Sequence, residues 1–148
     1  MPRKYLLLIL VTASVLLFDQ GSKVYIDQVM RPGQSLMVIK DFFNITYVRN
    51  PGAAFGFLAG VKKEVIRPVF LVISLGAVVG ILLFYRTIPA RDYLSQVGFS
   101  LILAGAIGNL IDRLWRHEVI DFLDLHWQNT YHWPAFNVAD ASITIGVG

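Results

Sequence analysis

The sequence predicts an integral membrane protein, mainly α-helical, with four transmembrane helices and a small extracytoplasmic β-sheet cradle between helices 1 and 2. Three observations carry this. Of the 148 residues, 55% are hydrophobic and only 16% are charged, whereas a soluble domain is about 25% charged. The apolar residues are gathered into runs, two of which reach the roughly 20 residues needed to cross a hydrocarbon core. Between the first and second runs, short β-branched and aromatic stretches alternate with Gly, Pro, Asn and Asp, the pattern of strands and turns. Residues 1–148 read as a single membrane-embedded domain.

The first span covers about residues 5–26. Met1-Pro2-Arg3-Lys4 followed by Tyr5–Phe18 has the basic and apolar regions of a secretory signal. Asp19-Gln20-Gly21-Ser22-Lys23 follows with no small-x-small cleavage site before it, and the apolar character resumes at Val24–Ile26. This reads as an uncleaved signal anchor rather than a removed signal peptide. The outer segment, about 34–60, holds the runs Leu36–Ile39, Phe42–Val48 and Ala54–Phe57. A sheet edge cannot lie in lipid, so this element belongs above one membrane face.

The second span, about 65–85, has only Arg67 and Pro68 to interrupt it, and the polar link Arg86–Asp92 leads into the third, about 93–112. That third span carries Gly98, Ser100, Gly105 and Gly108. Small residues let helices approach closely where lipid removes most of the hydrophobic drive to associate. Leu114–Pro134 reads as an interfacial loop rich in aromatics, with Trp115, Trp127, Tyr131 and Trp133. The fourth span begins near Phe136. Its 13 residues to Gly148 cover only about 20 Å of a roughly 30 Å core, so the natural chain is expected to continue.

Orientation is harder to read. Only Arg3, Lys4, Arg86 and Arg91 of the 13 basic residues fall on the side of the N-terminus, so a raw count opposes the positive-inside rule. The rule concerns charges flanking the spans in short loops, and the first helix usually dominates. Arg3 and Lys4 therefore place both termini in the cytoplasm and the sheet outside. A net charge of +3 is too small and too dispersed for a nucleic-acid surface. The absence of cysteine excludes disulfides, thiolate metal sites and a Cys nucleophile.

Polar and ionisable residues within spans are costly and point to function. Asp19 and Lys23, four residues apart, share a helix face, either as a neutralising pair or as a brace for a site. Asn109 and Arg113 are also four apart and read first as structural support, the Asn bridging helices and the Arg reaching the headgroups. Asp121 in Val119–Leu123 and Asp140 in Phe136–Ile143 have no cation in their own segments. Arg113 could pair with one of them as a structural salt bridge. If instead they face each other, repulsion and desolvation favour one shared proton, and the pair can activate water against an amide as a coupled acid and base. His117, His126 and His132, with Glu118, Asp121 and Asp124, offer metal-ligand chemistry. They lack the HExxH spacing that puts two imidazoles on one helix face, so neither a metal nor a cofactor is expected. Asn50-Pro51-Gly52-Ala53-Ala54-Phe55-Gly56 lacks the Lys-Ser/Thr ending of a phosphate loop and reads as a turn allowing close backbone approach.

Five blocks in order resemble the lipoprotein (type II) signal peptidases of bacterial inner membranes. They are Phe18–Lys23, Val48–Phe55, Gly105–Arg113, Val119–Phe122 and Phe136–Asp140, and the resemblance covers almost the whole chain. It implies four transmembrane helices and an outer sheet cradling the substrate. It implies cleavage of a diacylglyceryl-modified prolipoprotein before its lipidated Cys by an aspartic pair at Asp121 and Asp140. Asp19, Lys23, Asn50, Gly52, Gly105, Asn109, Arg113, Asn137 and Ala139 match positions that bind substrate or support the site. The resemblance also implies sensitivity to the cyclic peptide globomycin, contact with membrane lipid and a site near the outer face; nothing in the sequence demands more than a monomer. On this reading the segment around Gly52 and Gly56 closes over the substrate. Two other classes compete on the residues alone: a small transporter using Asp19, Lys23, Asp112 and Asp140 as an ion path, and a non-catalytic assembly factor. No internal repeat of the transporter kind is visible.

Overall fold

The computed structural model describes residues 2–52, 61–128 and 130–148. Along the chain run helix α1 (Arg3–Val29), strands β1 (Ser35–Ile39) and β2 (Phe43–Asn50), helices α2 (Lys63–Thr87) and α3 (Tyr93–Trp115), strands β3 (Val119–Trp127) and β4 (Tyr131–His132), and helix α4 (Val138–Val147). The expected run Ala54–Phe57 and Gly56 lie outside the described residues.

Three helices, α1, α2 and α3, are long and apolar enough to cross a membrane. Their outer faces carry side chains that water would not tolerate in such density: Val72, Ile73, Leu75, Leu83 and Phe84 of α2 are all more than half exposed. A continuous apolar surface of this kind is a lipid-facing one. Helix α4 begins at Val138, not Phe136, and is ten residues long. That gives it about 15 Å of rise, about half the depth of a roughly 30 Å core.

Helix α3 is the axis, packed against α1, α2 and α4. Leu8, Val78, Tyr85, Ile88, Leu103 and Leu110 form the apolar core among the three long helices. The Tyr85 hydroxyl donates to the Lys4 carbonyl at 2.7 Å and so ties α2 to the start of α1. Small residues set the approach of α3 to α4: a Cβ on Gly98 would lie 2.8 Å from the Gly146 carbonyl, and one on Gly105 would collide with the Ala139 carbonyl.

The sheet corrects the expected one. It is four-stranded and antiparallel in the order β1-β2-β3-β4, so it is not confined to the segment between the first two helices. The stretch 114–134, read from sequence as an interfacial loop, supplies half of its strands. Strand β2 pairs along β3 from Phe43↔Leu125 to Asn50↔Val119, with a bulge between Ile45 and Val48. The pairing partner of β3 lies some seventy residues earlier, beyond the reach of local patterning. Ile26, Met30, Tyr47, Ile120 and Phe122 form a second core that seats the sheet on the end of α1. Glu118, just before β3, accepts from Lys63 Nζ at 2.8 Å and Arg67 Nη2 at 3.1 Å, fastening the first turns of α2 to the sheet.

Candidate active site

A buried ionic centre ties α1 to α3 and α4. Lys23 and Asp19 are fully buried, and their charged groups lie 2.8 Å apart. Lys23 Nζ also meets Asp112 Oδ2 of α3 at 2.9 Å and Asn109 Oδ1 at 3.1 Å. Asp19 Oδ1 accepts the Ala139 amide of α4 at 2.9 Å. Asp112 in turn accepts from Arg116 at 2.6 Å and, more loosely, from the Ile120 amide of β3 at 3.3 Å. Of the two readings for Asp19 and Lys23, the brace is the fuller one. Isolated buried charges are expensive, so each is paired and hydrogen-bonded, and the pairing joins α1, α3, α4 and β3. Gly108 is required at this crossing, since a Cβ there would meet the Asp19 carboxylate at 2.5 Å.

Asp121 and Asp140 line one cavity of about 590 Å³, together with Asn50, Gly52, Phe70 and Arg113. Asp121 comes from β3 and is 3% exposed; Asp140 comes from the first turn of α4. Amides, not cations, hold both. Asn50 Nδ2 donates to Asp121 Oδ2 at 3.0 Å, Asn137 Nδ2 to Asp121 Oδ1 at 2.7 Å, and Asn109 Nδ2 to Asp140 Oδ1 at 2.8 Å. Asn137 is also the N-cap of α4. Its Oδ1 accepts the Asp140 amide at 2.9 Å, and Asp140 Oδ2 accepts the Asn137 amide at 3.3 Å, a reciprocal capping box.

Burial pushes the Asp121 carboxyl up to about 7, and the nearby charge of Asp140 adds to this. The bonds from Asn50 and Asn137 and the charge of Lys23 oppose the rise without cancelling it. Strong perturbation by desolvation and a like charge inside a cleft is a mark of functional sites.

Arg113 forms no salt bridge among the described residues, which disfavours the alternative that it ties up one carboxylate. It donates to the Asn109 carbonyl at 3.3 Å and lies 5.9 Å from the Phe70 ring centre. Gly52, at φ +114, donates its amide to Asn50 Oδ1 at 2.9 Å, and the Phe70 ring occupies the space where a Cβ would stand. Gly105 and Ala139 meet at the α3–α4 contact behind Asp140. All eleven residues singled out from the sequence thus fall in the cavity wall or the buried network beneath it.

Other members of the site carry no site assignment from the sequence, although Gln20 and Asp112 lie within the matching blocks and Asp112 belongs to the ion path of the transporter reading. Asp112 and Gln20 belong to the ionic centre, where Gln20 Nε2 donates to Asp19 at 3.0 Å and Asp112 at 3.2 Å. The four-residue spacing of Asp112 and Arg116 was the available signal. Phe70 and Leu125 of the wall are ordinary apolar residues that no sequence pattern distinguishes, whereas Phe136 opens the last of the matching blocks. The histidines sit elsewhere. His126 and His132 are stacked with centroids 4.9 Å apart on the β3–β4 pair, and among the described residues no three His, Asp or Glu side chains converge as a metal site.

Comparison with known proteins agrees with this architecture. The family model for signal peptidase (SPase) II matches residues 11–148. A lipoprotein signal peptidase of Geobacter metallireducens is 45% identical over 147 residues, covering 99% of this chain and 89% of that protein. One from Syntrophus aciditrophicus is 50% identical over 148 residues, covering 98% and 90%. A bacterial membrane enzyme solved at 2.3 Å superposes with a TM-score of 0.82 at 40% identity, covering 95% of this chain and 82% of that one. The chain belongs to the signal peptidase II family.

Proposed function

We propose that this protein removes the signal peptide from diacylglyceryl-modified prolipoproteins, cleaving before the lipidated Cys, with Asp121 and Asp140 as the catalytic pair. The observation that carries it is the cavity itself. Two carboxylates from separate elements enter it, held by amide side chains and without a salt bridge to either among the described residues, and burial raises one of them to about 7. In the working state of this proposal the pair shares one proton between two acids.

The chemistry follows from that proton count. The ionised carboxylate takes a proton from water as the water oxygen bonds to the scissile carbonyl carbon, while the protonated partner hydrogen-bonds the carbonyl oxygen. As the tetrahedral species collapses, the C–N bond breaks and the leaving amine takes a proton from the pair. The donors already in place on both carboxylates fix their orientation, which removes reorganisation from the reacting step. Apolar wall residues such as Phe70, Leu125, Phe136 and Ile145 suit a substrate presented by its acyl chains and signal helix.

On this reading α4 is the outer part of a fourth span, the site lies near the outer face of the bacterial inner membrane, and both termini are cytoplasmic. The enzyme works as a monomer, needs no metal for cleavage, and is inhibited by globomycin. A transporter would not need amide-held, cation-free acids, and an assembly factor would not need both acids. The test is separate replacement of Asp121→Asn and Asp140→Asn, followed by processing of a lipidated prolipoprotein in vesicles. Each change should abolish cleavage while the protein stays folded. Near-normal processing by either folded variant overturns the assignment.

A further inference from the structure

His126 and His132 lie directly opposite each other in the β3–β4 register, and the Trp133 amide donates to the Leu125 carbonyl at 2.8 Å just outside that pair. Opposed positions on antiparallel strands bring Cβ atoms close enough for the side chains to act together. The imidazoles are stacked, with centroids 4.9 Å apart and planes 28° from parallel. His126 is 5% exposed, and both its ring nitrogens are buried with no hydrogen-bond partner among the described residues. A buried polar group without a partner is rare in a folded protein and calls for an explanation.

His132 shows what that explanation is. Its Nδ1 lies 2.9 Å from Asp124 Oδ1, and Asp124 Oδ2 accepts from Thr46 Oγ1 at 3.2 Å. A carboxylate on one ring nitrogen fixes the tautomer and leaves the other nitrogen as a basic electron-pair donor, the arrangement that supports metal-binding histidines. The His132 side chain is about half exposed, so an ion can enter from its side. The strand register fixes the two backbones opposite each other, so a shared ion requires the stacked rings to turn their nitrogens toward it.

We propose that His126 and His132 form a two-imidazole site for a divalent first-row transition metal, with Asp124 behind the outer ligand. No third protein ligand converges among the described residues, so water completes the shell. Imidazole donors without thiolate or a carboxylate cage select Zn²⁺, Ni²⁺ or Cu²⁺ over Mg²⁺ or Ca²⁺. By strand alternation His126 points away from the face of β3 that carries Asp121 and Leu125 into the cavity. The ion is therefore a staple of the β3–β4 hairpin and not a participant in cleavage.

The probe is Zn²⁺ itself, titrated calorimetrically into tag-free protein in detergent, with thermal unfolding followed in parallel. The expected result is one equivalent bound, with affinity reduced at least tenfold by His126→Phe and by His132→Gln and unchanged by His117→Gln. Zn²⁺ should raise the melting temperature of the parent protein and not of His132→Gln, because ligand binding to the folded state stabilises it by mass action. His132→Gln changes a half-exposed position on a two-residue strand, so the comparison survives if the buried variant fails to fold. No saturable binding, equal affinity in all variants, or loss only on His117→Gln overturns the proposal, the latter two as an adventitious ion only.

Discussion

The side-chain amide of Asn137 donates to Asp121 Oδ1 at 2.7 Å, so the residue that caps α4 also holds a carboxylate of β3. Through its cap it orients Asp140 as well. One side chain therefore sets the relation between the two acids. Asn137→Ser should separate these duties, because serine can accept the Asp140 amide but offers no amide to Asp121. We expect Asn137→Ser to lose most cleavage while staying within about 1 kcal/mol of the parent, with Asn137→Ala losing about another 1 kcal/mol as the cap disappears. Chemical or thermal unfolding beside a processing assay separates the two; equal activity in both parent and Ser variant would contradict the bridging role.

On the proposed mechanism, replacing either acid by its amide removes the shared proton but preserves shape. Asp121→Asn and Asp140→Asn should each reduce turnover by at least about 10²–10⁴-fold, the range for losing a positioned acid or base. Substrate capture by co-purification should persist in both, since neither change removes the apolar wall.

The pH dependence follows from Asp121. Its proton leaves at about 7 in the folded protein, against about 3.9 for an unperturbed aspartate. The folded value is raised, so this group contributes stability that is complete below about pH 4 and lost as pH rises through about 7. Parent protein should lose melting temperature across that window relative to Asp121→Asn. Cleavage should fall on the alkaline side of about pH 7, and Asn50→Ala should move that limb upward, because the Asn50 bond holds the value down. Identical pH–rate profiles for parent and Asn50→Ala would show that the limb does not report Asp121.

The ionic centre should be a stability element. Lys23→Met leaves Asp19 and Asp112 buried without their common cation, and stripping one partner from a buried pair costs about 3–5 kcal/mol. Pairing it with Asp112→Asn should recover part of the loss. A folded, fully stable Lys23→Met protein would mean the network carries little of the packing.

Gly105 tests the close crossing of α3 and α4. Gly105→Leu should force the helices apart and carry Asp140 away from Asn109, lowering both melting temperature and turnover, with overpacking costing about 1–3 kcal/mol. A variant that melts normally and cleaves normally would show the crossing has slack.

The three long apolar helices, the strands Ser35–Ile39 and Phe43–Asn50, the Asp19–Lys23 pairing and the isolation of Asp121 and Asp140 from local cations were all readable from the chain. Each depends on composition or on spacing along one element, and an i, i+4 pair meets on a helix whatever surrounds it. Tertiary structure decided what no local pattern encodes. It brought β3 beside β2, made one residue the cap of α4 and the support of Asp121, ran Lys23 across to Asp112, and left Arg113 without a salt bridge among the described residues. It also opposed His126 to His132. These are contacts between segments tens of residues apart, chosen when helix and sheet faces bury each other. The sequence by itself therefore determined which acids were costly and unpaired. Only the packed fold decided that amides hold them in one cavity, because a carboxylate's partners are set by which distant backbone is pressed against it.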